Sequence, residues 1–90
     1  MTDQGAIKSV IEAMLFASER PLMQEQIKNV LNTDGATVRK AVEELQCEYE
    51  QNNRGVRIAE IAGGYQMITA VACAPFLKKL FKVRHADRLS

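Results

Sequence analysis

Apolar side chains recur at helical spacing three times along the chain before the pattern changes to an extended one. Ile7, Val10, Ile11 and Met14 lie three and four residues apart, which places them on one stripe of a helix over about Gly5 to Ser18. Leu15 falls at the edge of that stripe, and Phe16 points about 180° away from Ile7 at 100° per residue. An aromatic there needs cover from a neighbouring segment or from a partner. Pro21 punctuates the turn from Ser18 to Leu22. A short second helix follows over about Gln24 to Leu31, with Ile27, Val30 and Leu31 as its buried edge and Leu22 or Met23 leading in. Met23 stands where Ser, Thr, Asp or Asn would cap that helix, an omission that costs about 1 kcal/mol. After the turn Asn32-Thr-Asp-Gly35, in which Thr33 or Asp34 can act as cap, comes the series Val38, Ala41, Val42, Leu45 and Tyr49. It predicts a third helix over about Ala36 to Gln51. Asn52-Asn-Arg-Gly55 stops that helix, with Asn or Gly available for a left-handed residue.

The extended pattern lies between Gly55 and Thr69. Val56, Ile58, Ile61, Met67, Ile68 and Thr69 favour a pleated backbone, because branched and bulky side chains pack well on it. Gly63-Gly64 separates the two runs and supplies the positive φ of a two-residue hairpin turn. A fourth helix follows, with Pro75 near its first turn, where a missing N–H costs little. Phe76, Leu77, Leu80 and Phe81 are its apolar positions, and Lys78, Lys79 and Lys82 suit its C-terminal end through the macrodipole. The order specifies an α+β winged helix: a three-helix helix-turn-helix core, a two-stranded β-hairpin wing and a C-terminal helix. The domain is expected over residues 1–83, with residues 84–90 as a linker or tail.

Ninety residues make one domain, and an apolar fraction of 47% is that of a globular chain. No apolar run approaches the ~20 residues of a membrane span, and Met1-Thr-Asp-Gln-Gly5 has no basic n-region. The reading is a cytoplasmic protein without a membrane partner. Cys47 and Cys73 form no Cys-x-x-Cys pair, which argues against zinc and fits a reducing compartment. The net charge of +1 hides an uneven layout. Residues 78–90 carry Lys78, Lys79, Lys82, Arg84 and Arg88 against Asp87, a net +4, while residues 1–77 carry seven cations and ten acids, a net −3.

No catalytic constellation assembles. His85 is the sole histidine and sits in the basic tail. Neither cysteine has an activating neighbour in sequence. Glu44 and Glu48 lie one helical turn apart, but together with Glu43 and Glu50 they read as a solvated helix face. Gly55, Gly63 and Gly64 punctuate a hairpin and do not form a phosphate loop, which needs a strand leading into a helix. Met14, Met23 and Met67 read as core filling. No catalytic, cofactor or metal residue is expected.

A winged helix that reads DNA places its third helix in the major groove, with Arg, Lys, Asn or Gln outward. Residues 34–50 instead carry Arg39 and Lys40 against Asp34, Glu43, Glu44, Glu48 and Glu50, a net −3. Phosphate neutralisation supplies much of DNA affinity, and this helix opposes it. Nonspecific phosphate contact is left to Arg54 and Arg57 of the wing and to Lys78, Lys79 and Lys82. Phe16, Phe81 and Val83 exceed what a small core covers, and surplus apolar surface marks interfaces. The expected partner contact therefore involves Phe16, Phe76, Leu80, Phe81 and Val83. The ordinary alternative packs the fourth helix on the first.

Three segments carry a family resemblance. They are Ile11-Glu-Ala-Met-Leu-Phe-Ala-Ser18 with Pro21-Leu22, then Val56-Arg-Ile-Ala-Glu-Ile-Ala-Gly-Gly-Tyr-Gln-Met-Ile-Thr69, then Ala74-Pro-Phe-Leu-Lys-Lys-Leu80. In this order and spacing they resemble the segregation and condensation protein B family, from about Ile7 to Ser90. The resemblance implies a non-enzymatic accessory subunit of the bacterial condensin-like complex, with two winged-helix domains per chain. It implies homodimerisation, largely through the first domain, and binding to the kleisin subunit (segregation and condensation protein A). Through the kleisin it implies association with a structural-maintenance-of-chromosomes ATPase at the nucleoid, with DNA contact at most indirect or nonspecific. This chain resembles the first domain only, its tail pointing toward the family's second. It departs from the family pattern at Met23 and at Val71-Ala-Cys73. The alternative function is a winged-helix transcription regulator, which needs a cationic face built from Arg39, Lys40, Arg54, Arg57 and the basic end.

Overall fold

Helix α1 (Gln4–Ala17), strand β1 (Leu22–Met23), helices α2 (Gln24–Leu31) and α3 (Gly35–Gln51), and strands β2 (Val56–Ile61) and β3 (Gly64–Thr69) follow in turn. A 3-10 turn (Val71–Cys73) then leads into helix α4 (Ala74–Leu89). The computed structural model describes the backbone of residues 4–89 and the side chains of residues 5–82. Helix α4 crosses residue 84, where the tail was expected to begin.

The core forms where α1, α2 and α3 meet the sheet. Ile7, Ile11 and Leu15 of α1, Ile27 of α2, and Val38, Ala41, Val42, Leu45 and Tyr49 of α3 are buried together with Ile58 and Tyr65. On α1 the buried line is therefore the i, i+4, i+8 set, with Met14 packed at its margin. A fully buried aliphatic side chain such as Ile11, Leu15, Ile27, Val38 or Val42 contributes about 1.5–3 kcal/mol. Polar links tie the same elements together. Lys8 of α1 reaches Glu48 of α3 and lies 3.7 Å from Glu44. The Gln46 amide donates to the Ile58 carbonyl at 2.9 Å, joining α3 to β2. Exposed ion pairs contribute at most about 1 kcal/mol, so apolar contact dominates.

Local chemistry explains the helix ends. Asp34 caps α3, its carboxylate accepting from the Thr37 N–H at 2.7 Å. The α3 C-terminus closes with the Arg54 N–H on the Tyr49 carbonyl and the Asn53 N–H on the Glu50 carbonyl, with Asn53 left-handed at φ 52°. Asn32 is left-handed at φ 53° and ends α2, with the Thr33 N–H bonded to the Lys28 carbonyl. The α2 N-terminus is stabilised from the other side: the Gln26 side chain accepts the Met23 N–H at 2.9 Å.

The structure adds one element and corrects two expectations. The two-stranded hairpin wing is present as β2 and β3, and β1 joins it in a three-stranded sheet of order β1-β3-β2. Leu22 and Met23 pair with Tyr65 and Gly64, so the residues leading into α2 are themselves a strand. The signal was too short to see, since two residues carry no alternation. The hairpin turn is Ala62-Gly63, because Ile61 pairs with Gly64. Gly63 and Ala62 have φ 81° and 52°, so an alanine occupies the left-handed position expected for glycine. Gly64 serves a different need: a β-carbon there would lie 2.6 Å from the Leu22 carbonyl oxygen. Finally, Val30 is 67% exposed, and α2 buries only Ile27 fully.

These observations set two measurable outcomes. Ala62→Gly should raise the unfolding free energy in urea by about 0.5–1 kcal/mol by relieving a left-handed alanine, while Gly64→Ala should lower it by about 1–3 kcal/mol because β1 must move. The Thr37 side chain and N–H hold the Asp34 carboxyl below its ordinary value of 3.8. A depressed carboxyl stabilises the fold above that value, and the contribution is lost as pH falls through the folded pKa. The melting-temperature deficit of Asp34→Ala should therefore be full at pH 7 and shrink on acidification below 3.8.

Candidate functional site

Two surfaces among the described residues carry the exposed phenylalanines. The first is α4. Among the described residues its principal contacts are with the 3-10 turn that precedes it, with no comparable packing on α1. The expected alternative, α4 folded down on the first helix, is thus not the arrangement observed. Phe76, Leu80 and Phe81 are 71%, 48% and 57% exposed. With the half-buried Leu77 they span about 140° of the helix wheel. Lys78, Lys79 and Lys82, all exposed, occupy the other side. Among the described residues none of these lysines is ion-paired. The Val83 side chain, named with the apolar set, lies outside the described residues, as does His85.

The second surface is a groove of about 410 Å³ between α1, the C-terminal part of α3 and the wing, walled by Ala13, Phe16, Tyr49, Val56 and Met67. Phe16 is 80% exposed at its rim, on the side of α1 that the periodicity assigned to it. Tyr49 supplies the floor. Its ring is buried and its hydroxyl donates to Glu12 at 2.5 Å. Burial, followed by that hydrogen bond to an anion, pushes the phenol well above its ordinary value of 10.0, so it remains a donor throughout the neutral range. Val56 and Met67 were assigned as ordinary strand and core residues; their place in a groove depends on the β2–β3 register. Among the described residues no α4 side chain lines this groove, so Phe16 and the α4 phenylalanines Phe76 and Phe81 lie on separate surfaces.

Charge on α3 follows the expected layout, with one refinement. Glu43 and Glu50 are exposed, whereas Glu44 and Glu48 are turned toward Lys8. Arg39 and Lys40 are exposed near the start of the helix. At the base of the wing the Arg57 guanidinium folds back onto the Arg54 and Val56 carbonyls, the latter at 3.0 Å. Arg54 is exposed beside it. Cys47 is exposed and Cys73 half-buried, and both are free thiols. Among the described residues no group of three or more His, Cys, Asp and Glu is placed to hold a metal. No helix among them is long and apolar enough to cross a membrane.

Comparison with known proteins matches this architecture. A family model for the segregation and condensation complex subunit ScpB covers residues 9–90. Segregation and condensation protein B from Syntrophotalea carbinolica is 35% identical over 91% of this chain and 42% of its own length. The protein of the same name from Geobacillus kaustophilus is 34% identical over 96% of this chain and 40% of its own. The chain thus spans less than half the length of these relatives. A crystal structure of a dimer of the ScpB N-terminal domain complexed with an ScpA peptide superposes with a TM-score of 0.79 at 34% identity, covering 84% of this chain and 95% of that one. ScpB from Mycobacterium tuberculosis, at 20% identity, shares the fold with a TM-score of 0.89 over 94% of this chain and 53% of its own. The α+β architecture observed here is that of the ScpB N-terminal winged helix, and the chain belongs to the ScpB family of segregation and condensation complex subunits.

Proposed function

We propose that this domain is a self-associating, non-enzymatic module of the bacterial SMC–kleisin complex, acting in chromosome condensation and segregation. The observation that carries the reading is the close match to a solved ScpB N-terminal domain that is dimeric and holds an ScpA peptide. Its partners are a second copy of the chain, the kleisin ScpA and, through ScpA, the SMC ATPase. Its location is the cytoplasm, at the nucleoid. Residues 84–90 lead toward a second winged-helix domain, a reading supported by relatives more than twice as long as the matched region.

The interaction surface is assigned to Phe16, Phe76, Leu80, Phe81 and Val83. Support comes from the exposure of the first four, Phe16 at the groove and the other three together on α4, since exposed large apolar side chains favour association. DNA contact is nonspecific at most, through Arg54, Arg57, Lys78, Lys79 and Lys82. Two features weigh against base readout by α3: the exposed Glu43 and Glu50, and the engagement of Arg57 with backbone carbonyls.

Sedimentation velocity at micromolar concentration should give a species of about twice the 10.1 kDa chain mass; a clean monomer would remove self-association from the reading. In a titration with random duplex at ~150 mM salt, binding should be weaker than micromolar. Submicromolar affinity with a steep salt slope would favour a transcription regulator instead.

A further inference from the structure

The turn between α2 and α3 contains a reactive dipeptide, Asp34-Gly35. Every other aspartate and asparagine of the chain precedes a residue that carries a side chain. Glycine leaves its own main-chain nitrogen unshielded and its backbone free to turn. That nitrogen can therefore attack the neighbouring carboxyl carbon. The Gly35 nitrogen bonds to Cγ of a protonated Asp34 carboxyl, the Cγ–OH bond breaks, and water leaves with that hydroxyl and the nitrogen's proton. Water then opens the five-membered imide. Opening at Cγ restores aspartate. Opening at the Asp34 main-chain carbonyl leaves isoaspartate, with the chain routed through the side chain and the old carbonyl carbon as a free carboxylate. The sequence of steps returns the water it released and consumes no co-reactant.

The fold opposes this ring closure at three points. Cβ of Asp34 and the Gly35 nitrogen must eclipse about the Cα–C bond, whereas ψ of 167° at Asp34 keeps them staggered. The carboxylate oxygen is held by the Thr37 N–H at 2.7 Å. Gly35 is the first residue of α3, and the Gln24 amide lies so close over it that a β-carbon would be 2.4 Å from Nε2. The Thr37 contacts also keep the carboxyl ionised, and an ionised carboxylate has no hydroxyl to expel. Water is not the barrier, because Asp34 is exposed.

We propose that Asp34-Gly35 is a site of spontaneous isoaspartate formation, locked by the α3 cap in the folded domain and released when the first turn of α3 opens. Local opening of this kind costs less than global unfolding, so the modification accumulates as a record of how often the turn between α2 and α3 comes apart. It also feeds on itself. Isoaspartate lengthens the main chain by a methylene and removes the acceptor that Asp34 offers to Thr37. Loss of an N-cap favours the open state by about fivefold, and the modified domain melts at a lower temperature.

The test uses the 90-residue chain, aged at mildly acidic pH with and without denaturing guanidinium chloride. Isoaspartate at residue 34 is counted by electron-transfer fragmentation and by labelling with an isoaspartyl methyltransferase. The unfolded chain should accumulate it at least about tenfold faster than the folded one. Asp34→Asn provides a second measurement. Asparagine caps a helix as well as aspartate does, and its ring closure expels ammonia, so ionisation of the side chain no longer matters. Deamidation of this variant should show the same protection by folding. Equal rates in the folded and unfolded parent would overturn the lock, as would equal rates in the two states of Asp34→Asn. Absence of isoaspartate at residue 34 from the aged, unfolded chain would overturn the site itself.

Discussion

The contact between α1 and α3 holds the domain together. Ile7, Ile11 and Leu15 of α1 and Val38, Val42, Leu45 and Tyr49 of α3 supply most of the buried cluster, which Ile27, Ala41, Ile58 and Tyr65 complete. A chain of this size hides only about 65% of the surface its unfolded form exposes, so every buried residue on that seam matters. Tyr49 is its least replaceable member. The ring closes the core toward the wing, and the hydroxyl leaves the core to meet Glu12. The seam also fixes the functional geometry, since the same two helices and the wing build the groove.

Electrostatics divides the molecule differently from packing. The acids of α3 that meet Lys8 are partly consumed by the fold, while Glu43 and Glu50 remain in water. The cations that a nucleic acid requires are scattered among the α3 N-terminus, the wing base and α4, and one of them, Arg57, is tied to backbone carbonyls. The exposed phenylalanines, by contrast, lie at the groove and along α4. A surface with dispersed cations and three exposed phenylalanines suits polypeptide partners better than a phosphate backbone.

The helices were legible in the sequence because each carries enough periods of its apolar repeat. The α3 core set was recovered whole, and Phe16 was placed outside the core by its wheel position alone. What escaped depended on long-range pairing. Strand β1 is two residues long and exists only because β3 runs beside it. The turn shifted by one residue because the pair Gly63-Gly64 answers two separate demands, one conformational and one steric. Val56 and Met67 became groove walls through sheet register, a property that no local window contains. That α4 would extend was equally hidden, since an apolar stripe looks the same whether its cover comes from its own chain or from another.

Gly64 makes the placement of α2 depend on a single missing atom. With no β-carbon at that site, the backbone of Leu22 can approach closely, and the Leu22–Met23 strand enters the sheet. Helix α2 begins at the very next residue, with no linker in which an altered approach could be absorbed. The tilt of the helix-turn-helix against the wing is therefore inherited from the spacing of two strands. Ligand-driven motion of the wing would be passed to α2 as a rigid displacement through this joint.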